Sequence, residues 1–207
     1  MSITPPPQPK RELTPAGNHL ARVYQILHIG TVTSDFKDDD GNEKTINTVR
    51  IGWELPNEMR KFKEGQEERP MVISQDYTLS MNEKAKLRKL VEGIIGTALD
   101  EKEADSFDVT KLMGLPCMIQ INHKTSKAGN EYAFVASAAT IPKGMKAPKA
   151  INAPQLLDYD NWNQDLFNSL PDFIKEDISS SYQYRSKFKA EKDAAPASEI
   201  DADGVPF

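Results

Sequence analysis

Between Leu20 and Thr140, hydrophobic and polar residues alternate in several short runs. A period of two is the mark of a half-buried strand. The first run, Leu20 to Val32 (LARVYQILHIGTV), is long and rich in β-formers. Thirteen residues at about 3.3 Å each span roughly 43 Å, more than one flat pairing partner needs. With Gly30 as a bend, such a strand suits a small closed barrel, in which one strand must curve and pair at its two ends with different neighbours. Alternation sets Val23 on one face and Arg22 and Tyr24 on the other. The polar stretch Ser34 to Lys44 reads as a hairpin tip with its turn at Asp40-Gly41. Thr45 to Leu55 is the second strand. Val49, Ile51 and Trp53 share its core parity, unless a bulge at Gly52 turns Trp53 outward. Met71 to Thr78 is the third strand, after a charged loop carrying Arg60, Lys61 and Lys63.

The period then changes. Leu87, Leu90, Val91 and Ile94 recur at helical spacing. Ser80 and Glu83 fit a capping box at the start, and Gly96 fits a stop. Lys84, Lys86, Arg88 and Lys89 fall on or near the polar side. Their plain reading is a solvated helix face, with phosphate contact the alternative. Asp105 to Met113 predicts a second, shorter helix. Gly114 to Asn122 and Glu131 to Thr140 are strands four and five, joined by His123 to Asn130. The order is strand, strand, strand, helix, strand, strand. It predicts a mostly β chain with a minor helical part: a five-stranded OB-fold barrel with a helix between strands 3 and 4, plus a C-terminal extension.

Four parts follow. Residues 1–16, with four prolines in the first nine positions, predict a disordered arm. Residues 17–146 form the barrel domain. Residues 147–189 carry Leu156, Leu157, Tyr159, Trp162, Leu166, Phe167, Leu170, Phe173 and Ile174, too apolar for a free linker. They are expected to pack on the barrel or on a second subunit, with Ser169 capping a short helix that has Pro171 in its first turn. Residues 190–207 are small, acidic and unperiodic, so a disordered tail is expected.

Charge sharpens this picture. The chain of 207 residues carries a net −5, and from Ala147 onward six Lys/Arg face eleven Asp/Glu. The acidity sits in the last third, which leaves room for a basic groove in the body despite a pI near 5.3. Mean hydropathy is −0.58, polar enough to expect unfolded segments. Cys117 is the single cysteine, and His19, His28 and His123 are scattered. An internal disulfide and a thiolate zinc cage are therefore excluded, and no metal or cofactor is expected. No apolar run reaches the roughly 20 residues of a membrane span, and no charged-then-apolar leader opens the chain. A soluble, cytoplasmic protein is expected.

The chain closes on SEIDADGVPF. Acidic residues followed by a small apolar residue, Pro and Phe resemble the C-terminal tail of bacterial and phage single-stranded-DNA-binding proteins. The likeness covers Asp201 to Phe207. The greater length and the lack of a Gln- or Gly-rich linker make it similar to the phage-encoded type, which would act in the host cytoplasm. The resemblance implies a binding module for single-stranded DNA, not an enzyme, in DNA replication, recombination and repair. It also implies that replication or recombination proteins are recruited through Asp201, Asp203, Val205, Pro206 and Phe207. Partners of the family hold the terminal ring and carboxylate in an apolar pocket ringed by basic residues. The same tail could occupy the basic groove when DNA is absent.

For such a module, rings supply stacking and cations meet phosphates. A base–aromatic stack is worth about 1–3 kcal/mol and ignores sequence. Candidate rings are Tyr24, Trp53, Tyr77, Tyr132 and Phe134, with ordinary core packing the alternative for each and the favoured one for Trp53. Candidate phosphate partners are Arg22, Arg50, Lys124 and Lys127. An RNA-binding barrel, a metal-dependent nuclease built on the many carboxylates, and an interaction module without nucleic acid are the rivals. No phosphate loop, His/Cys cluster or nucleophile elbow supports an enzyme. Alternation alone leaves open which side of each strand faces out.

Overall fold

A computed structural model describes residues 12–37, 41, 43–62 and 65–194. Strand accounts for 40% of the chain and helix for 24%, so it is mostly β. Six strands form an antiparallel sheet: β1 (Gly17–Lys37), β2 (Glu43–Arg60), β3 (Arg69–Thr78), β4 (Pro116–Thr125), β5 (Glu131–Ala139) and the short β6 (Gln155–Leu157). The sheet runs β3-β2-β1-β4-β5, with β6 pairing β1 off this path. Between β3 and β4 lie α1 (Lys86–Ile95), α2 (Glu101–Asp105) and a single 3-10 turn, Val109–Leu112; α3 (Gln164–Ser169), α4 (Asp172–Ser180) and α5 (Tyr182–Ala194) follow β6. β1 and β2 are far longer than their alternating runs predict. Contacts divide the chain into two compact units, Met1–Leu27 with Val49–Leu156, and His28–Thr48 with Leu157–Phe207.

The first unit holds the main core. Val23, Ile51, Trp53, Leu55, Leu112, Cys117, Ile119 and Ile121 are fully buried, and Leu87, Leu90, Val91 and Ile94 of α1 close over them. The expected parity holds: Val49, Ile51 and Trp53 all point inward, and Gly52 does not turn Trp53 outward. β1 and β4 pair from Gly17↔Ile121 to Arg22↔Pro116. β4 and β5 pair from Thr125↔Glu131 to Met118↔Ala139, and the register shifts between Gln120 and Ile121. Gln120 faces Ser137 while Ile121 faces Val135, so Ala136 is the extra residue of a bulge. The path leaves β3 and β5 at its two ends, and the Val135 backbone N–H donates to Gln75 Oε1 at 2.9 Å. Residues 12–16 form no helix or strand, yet Thr14 is buried and its carbonyl accepts from His123 Nε2 at 2.8 Å.

Gly96 ends α1 in the left-handed region, as its position predicts. The helix start is a correction. It begins at Lys86 rather than just after Ser80, and its N-cap, Ala85, offers no side-chain cap. Ser80 Oγ instead accepts from Asn82 N within a turn. The cause is Arg88, which is buried and donates to Met81 O, Leu99 O, Glu92 and Glu101. That fixes residues around Met81 as partners for a guanidinium, not as a first helical turn. The expected helix over Asp105 to Met113 is also corrected. That span holds only Asp105, the last residue of α2, and the 3-10 turn, and the working capping box lies earlier, at Asp100 with Glu103. Gly93 lets α1 lie on β5, since a Cβ there would sit 2.1 Å from the Ala138 carbonyl oxygen.

In the second unit, Ile29, Leu157, Phe167, Leu170, Ile174 and Ile178 are buried. Tyr159, Trp162, Phe167, Tyr184 and Phe188 form a ring cluster with centroids 4.6–5.6 Å apart. Gly30 has φ +99, and Ser181 and Gln183 approach too closely for any side chain. The Tyr159 hydroxyl donates to Ile29 O at 2.8 Å. Ser169 does not cap the following helix: its hydroxyl donates back to Leu166 O in α3, and Pro171 itself is the N-cap of α4.

Candidate nucleic-acid interface

The β4–β5 hairpin presents four of the expected residues together. Its tip is closed by Ser126, whose N–H donates to Asn130 O at 2.8 Å and whose hydroxyl accepts from Asn130 N at 3.1 Å. Lys127 stands exposed at that tip. Lys124 and Tyr132 are cross-strand partners, and Asn122 faces Phe134. The pleat therefore puts Lys124, Tyr132 and Phe134 on one face. Lys124 Nζ lies 4.7 Å from the Phe134 ring centroid, a cation–π distance. Tyr132 is 44% exposed, and its centroid is 6.3 Å from that of Phe134. Glu131, next along the strand, sits 3.8 Å from His123 Nδ1. A ring open on one side with an ammonium beside it can stack on a base and meet the adjoining phosphate.

Phe134 continues into a cleft of about 350 Å3 between α1, β3 and β5. Its apolar wall is Leu90, Phe134, Val135 and the bulged Ala136; Gln75, Tyr77 and Ser137 add polar atoms, and Lys86 and Lys89 stand at its rim. Among the described residues, no carboxylate lines it. Lys86 and Lys89 are exposed, and neither ammonium has a hydrogen-bonded or ion-paired partner among the described residues. Burial pushes the Tyr77 phenol well above its ordinary value, with the charge of Asp76 adding to the shift, so it stays a neutral group. The two lysines lie at i,i+3 on one helix face. Their polar-side position was readable from the chain; the bulge and the helix contact at Gly93 that shape the opposite wall were not.

The remaining expected residues are engaged elsewhere. Trp53 is fully buried, edge-on to Tyr77 at 6.4 Å, so it presents no ring for stacking. Tyr77 is only 6% exposed and serves as cleft wall. Arg22, Tyr24 and Arg50 lie on the outer face of β1 and β2. Arg22 Nε and Nη2 donate to Pro148 O at 3.2 and 2.7 Å, and Nη1 donates to Gly114 O. Arg50 makes a two-pronged pair with Asp76, at 2.5 and 2.6 Å. Tyr24 is half-buried, its phenol pushed up by burial and then by Glu54. Glu54 itself is fully buried, and its two oxygens accept from Ile151 N at 3.0 Å and Asn152 N at 2.7 Å. These contacts offset the cost of burying a carboxylate.

Asp201, Asp203, Val205, Pro206 and Phe207 lie outside the described residues. Among the described residues, no group of three or more His, Cys, Asp or Glu is placed to hold a metal ion, and no helix is long and apolar enough to cross a membrane. Comparison with known protein families finds no model that matches the chain, and comparison with curated proteins finds no match either.

Proposed function

We propose that this chain is a sequence-independent single-stranded-DNA-binding protein of the phage type, acting as a binding module and not as an enzyme. The observation that carries the reading is the β4–β5 hairpin, where Lys124 lies against Phe134 beside the exposed Tyr132. Rings and cations on one open face provide stacking and phosphate contact without reading base edges. The order β3-β2-β1-β4-β5, with Gln75 of β3 bound to Val135 of β5, supports a five-stranded barrel of the OB type. The acidic residues up to Phe207 then serve to recruit replication or recombination enzymes, their charge speeding encounter at low salt.

The test is fluorescence anisotropy with a labelled dT oligomer. Wild type binds, and Tyr132→Ala with Phe134→Ala weakens binding by about tenfold or more, since each stack is worth about 1–3 kcal/mol. Matched RNA competes poorly. Deleting Gly204 to Phe207 leaves DNA affinity equal or higher and abolishes capture of partner enzymes. Equal binding by wild type and the double variant overturns the assignment of the hairpin.

A further inference from the structure

Resting on that reading, we infer that the single strand runs through the cleft between α1 and β5, its phosphates held by Lys86 and Lys89, and that the outer face of β1 and β2 is closed to it. Residues 148–157 cross that outer face as a strap. Pro148 takes the Arg22 guanidinium, Ile151 and Asn152 donate to the buried Glu54, Gln155 Oε1 accepts from Gln25 Nε2 at 2.5 Å, and β6 pairs with β1. Arg50 on the same face is neutralised by Asp76. A polyanion approaching Arg22 or Arg50 would meet a spent cation and a peptide cover.

The cleft has the opposite character. It begins at Phe134, under Lys124, and continues to two ammonium groups that have no partner among the described residues, with no carboxylate among its described lining residues. Its volume of about 350 Å3 lies within the range of small-molecule pockets, room enough for a base and its sugar. Two lysines without partners among the described residues, set beside an apolar wall, are what charge complementarity assigns to a strand of phosphates and rings.

The experiment compares two exposed lysine pairs by titration with poly-dT at several salt concentrations. Lys86→Gln with Lys89→Gln removes the cleft cations; Lys146→Gln with Lys149→Gln removes charge beside the strap. Each phosphate contact on a single strand contributes about 0.7 to the salt slope, so losing two flattens it by about 1.4 and weakens binding about twenty-fivefold at 0.1 M salt. The expected result is that loss for the cleft pair and an unchanged slope for the strap pair. Flattening by the strap pair instead, or by neither pair while wild type keeps a steep slope, overturns the route and leaves DNA binding standing. Wild type without salt-sensitive binding overturns the underlying function.

Discussion

Replacing Gly93 by alanine puts a methyl group 2.1 Å from the carbonyl oxygen of Ala138, a backbone atom that cannot swing aside. Ordinary contact needs more than an ångström of extra separation, so α1 must lift from β5. Overpacking of this kind costs typically 1–3 kcal/mol, and a rigid backbone partner puts Gly93 at the upper end, about 3 kcal/mol. Alanine returns about 1 kcal/mol of helix propensity. The net expectation is about 2 kcal/mol of destabilisation, or a melting temperature lower by about 4–8 °C for a chain of this size. Lifting α1 also carries Lys86 and Lys89 away from Phe134, so poly-dT affinity falls with stability. The assay is urea unfolding followed through Trp53 fluorescence in a Trp162→Phe background, which isolates the first unit's core. An unchanged or raised midpoint would show that α1 does not seat on the Ala138 carbonyl, and the cleft as described would lose its wall.

Other expectations follow from single groups. The Cys117 thiol is fully buried and its ionisation is pushed up to about 12 by burial. At pH 8 roughly one molecule in ten thousand carries a thiolate. An aromatic disulfide reagent should label it only after denaturant is added; rapid labelling of the native protein would contradict the packing. The Glu92 carboxyl is held below its ordinary value of 4.5 by the Leu99 N–H and then by the Arg88 guanidinium. A lowered folded value gives stability that is present above pH 4.5 and lost as pH falls through the folded value. Glu92→Gln should therefore lower the urea midpoint at pH 7, with the gap to wild type narrowing below pH 4.5; a pH-independent gap would refute the linkage. Tyr159→Phe removes the hydroxyl that bonds both Ile29 O and Ser181 Oγ and should cost about 1 kcal/mol in the second unit, read as a lower melting temperature. No change would show that the hydroxyl contributes nothing.

Much of the strand framework was legible because it rests on short-range alternation. Val49, Ile51 and Trp53 could be grouped on one face by parity, with only a bulge at Gly52 in question, and Gly96 could be placed at a helix end by its backbone freedom. What failed depended on partners distant in sequence. Ser80 and Glu83 fit a capping pattern, but Arg88 needs the Met81 carbonyl and the Leu99 carbonyl, and that requirement outweighs the local signal. The working box at Asp100 and Glu103 opens only a five-residue helix, too short to leave an apolar period. At the site, Arg22 and Arg50 looked like open cations on the outer parity. Nothing near them in the chain announces Pro148, 126 residues away, or Asp76 across the sheet. Lys124, Tyr132 and Phe134 were within reach of sequence reasoning because one tight hairpin brings them together. Lys86 and Lys89 stood only as an alternative reading, since their meaning depends on which strand α1 covers.

The most direct measurement is the affinity of the intact chain for poly-dT across a salt series. With four cations at phosphates, log affinity should fall against log salt with a slope near −3, about 0.7 for each contact. No binding, or binding indifferent to salt, would contradict a surface of rings and cations built for a single strand.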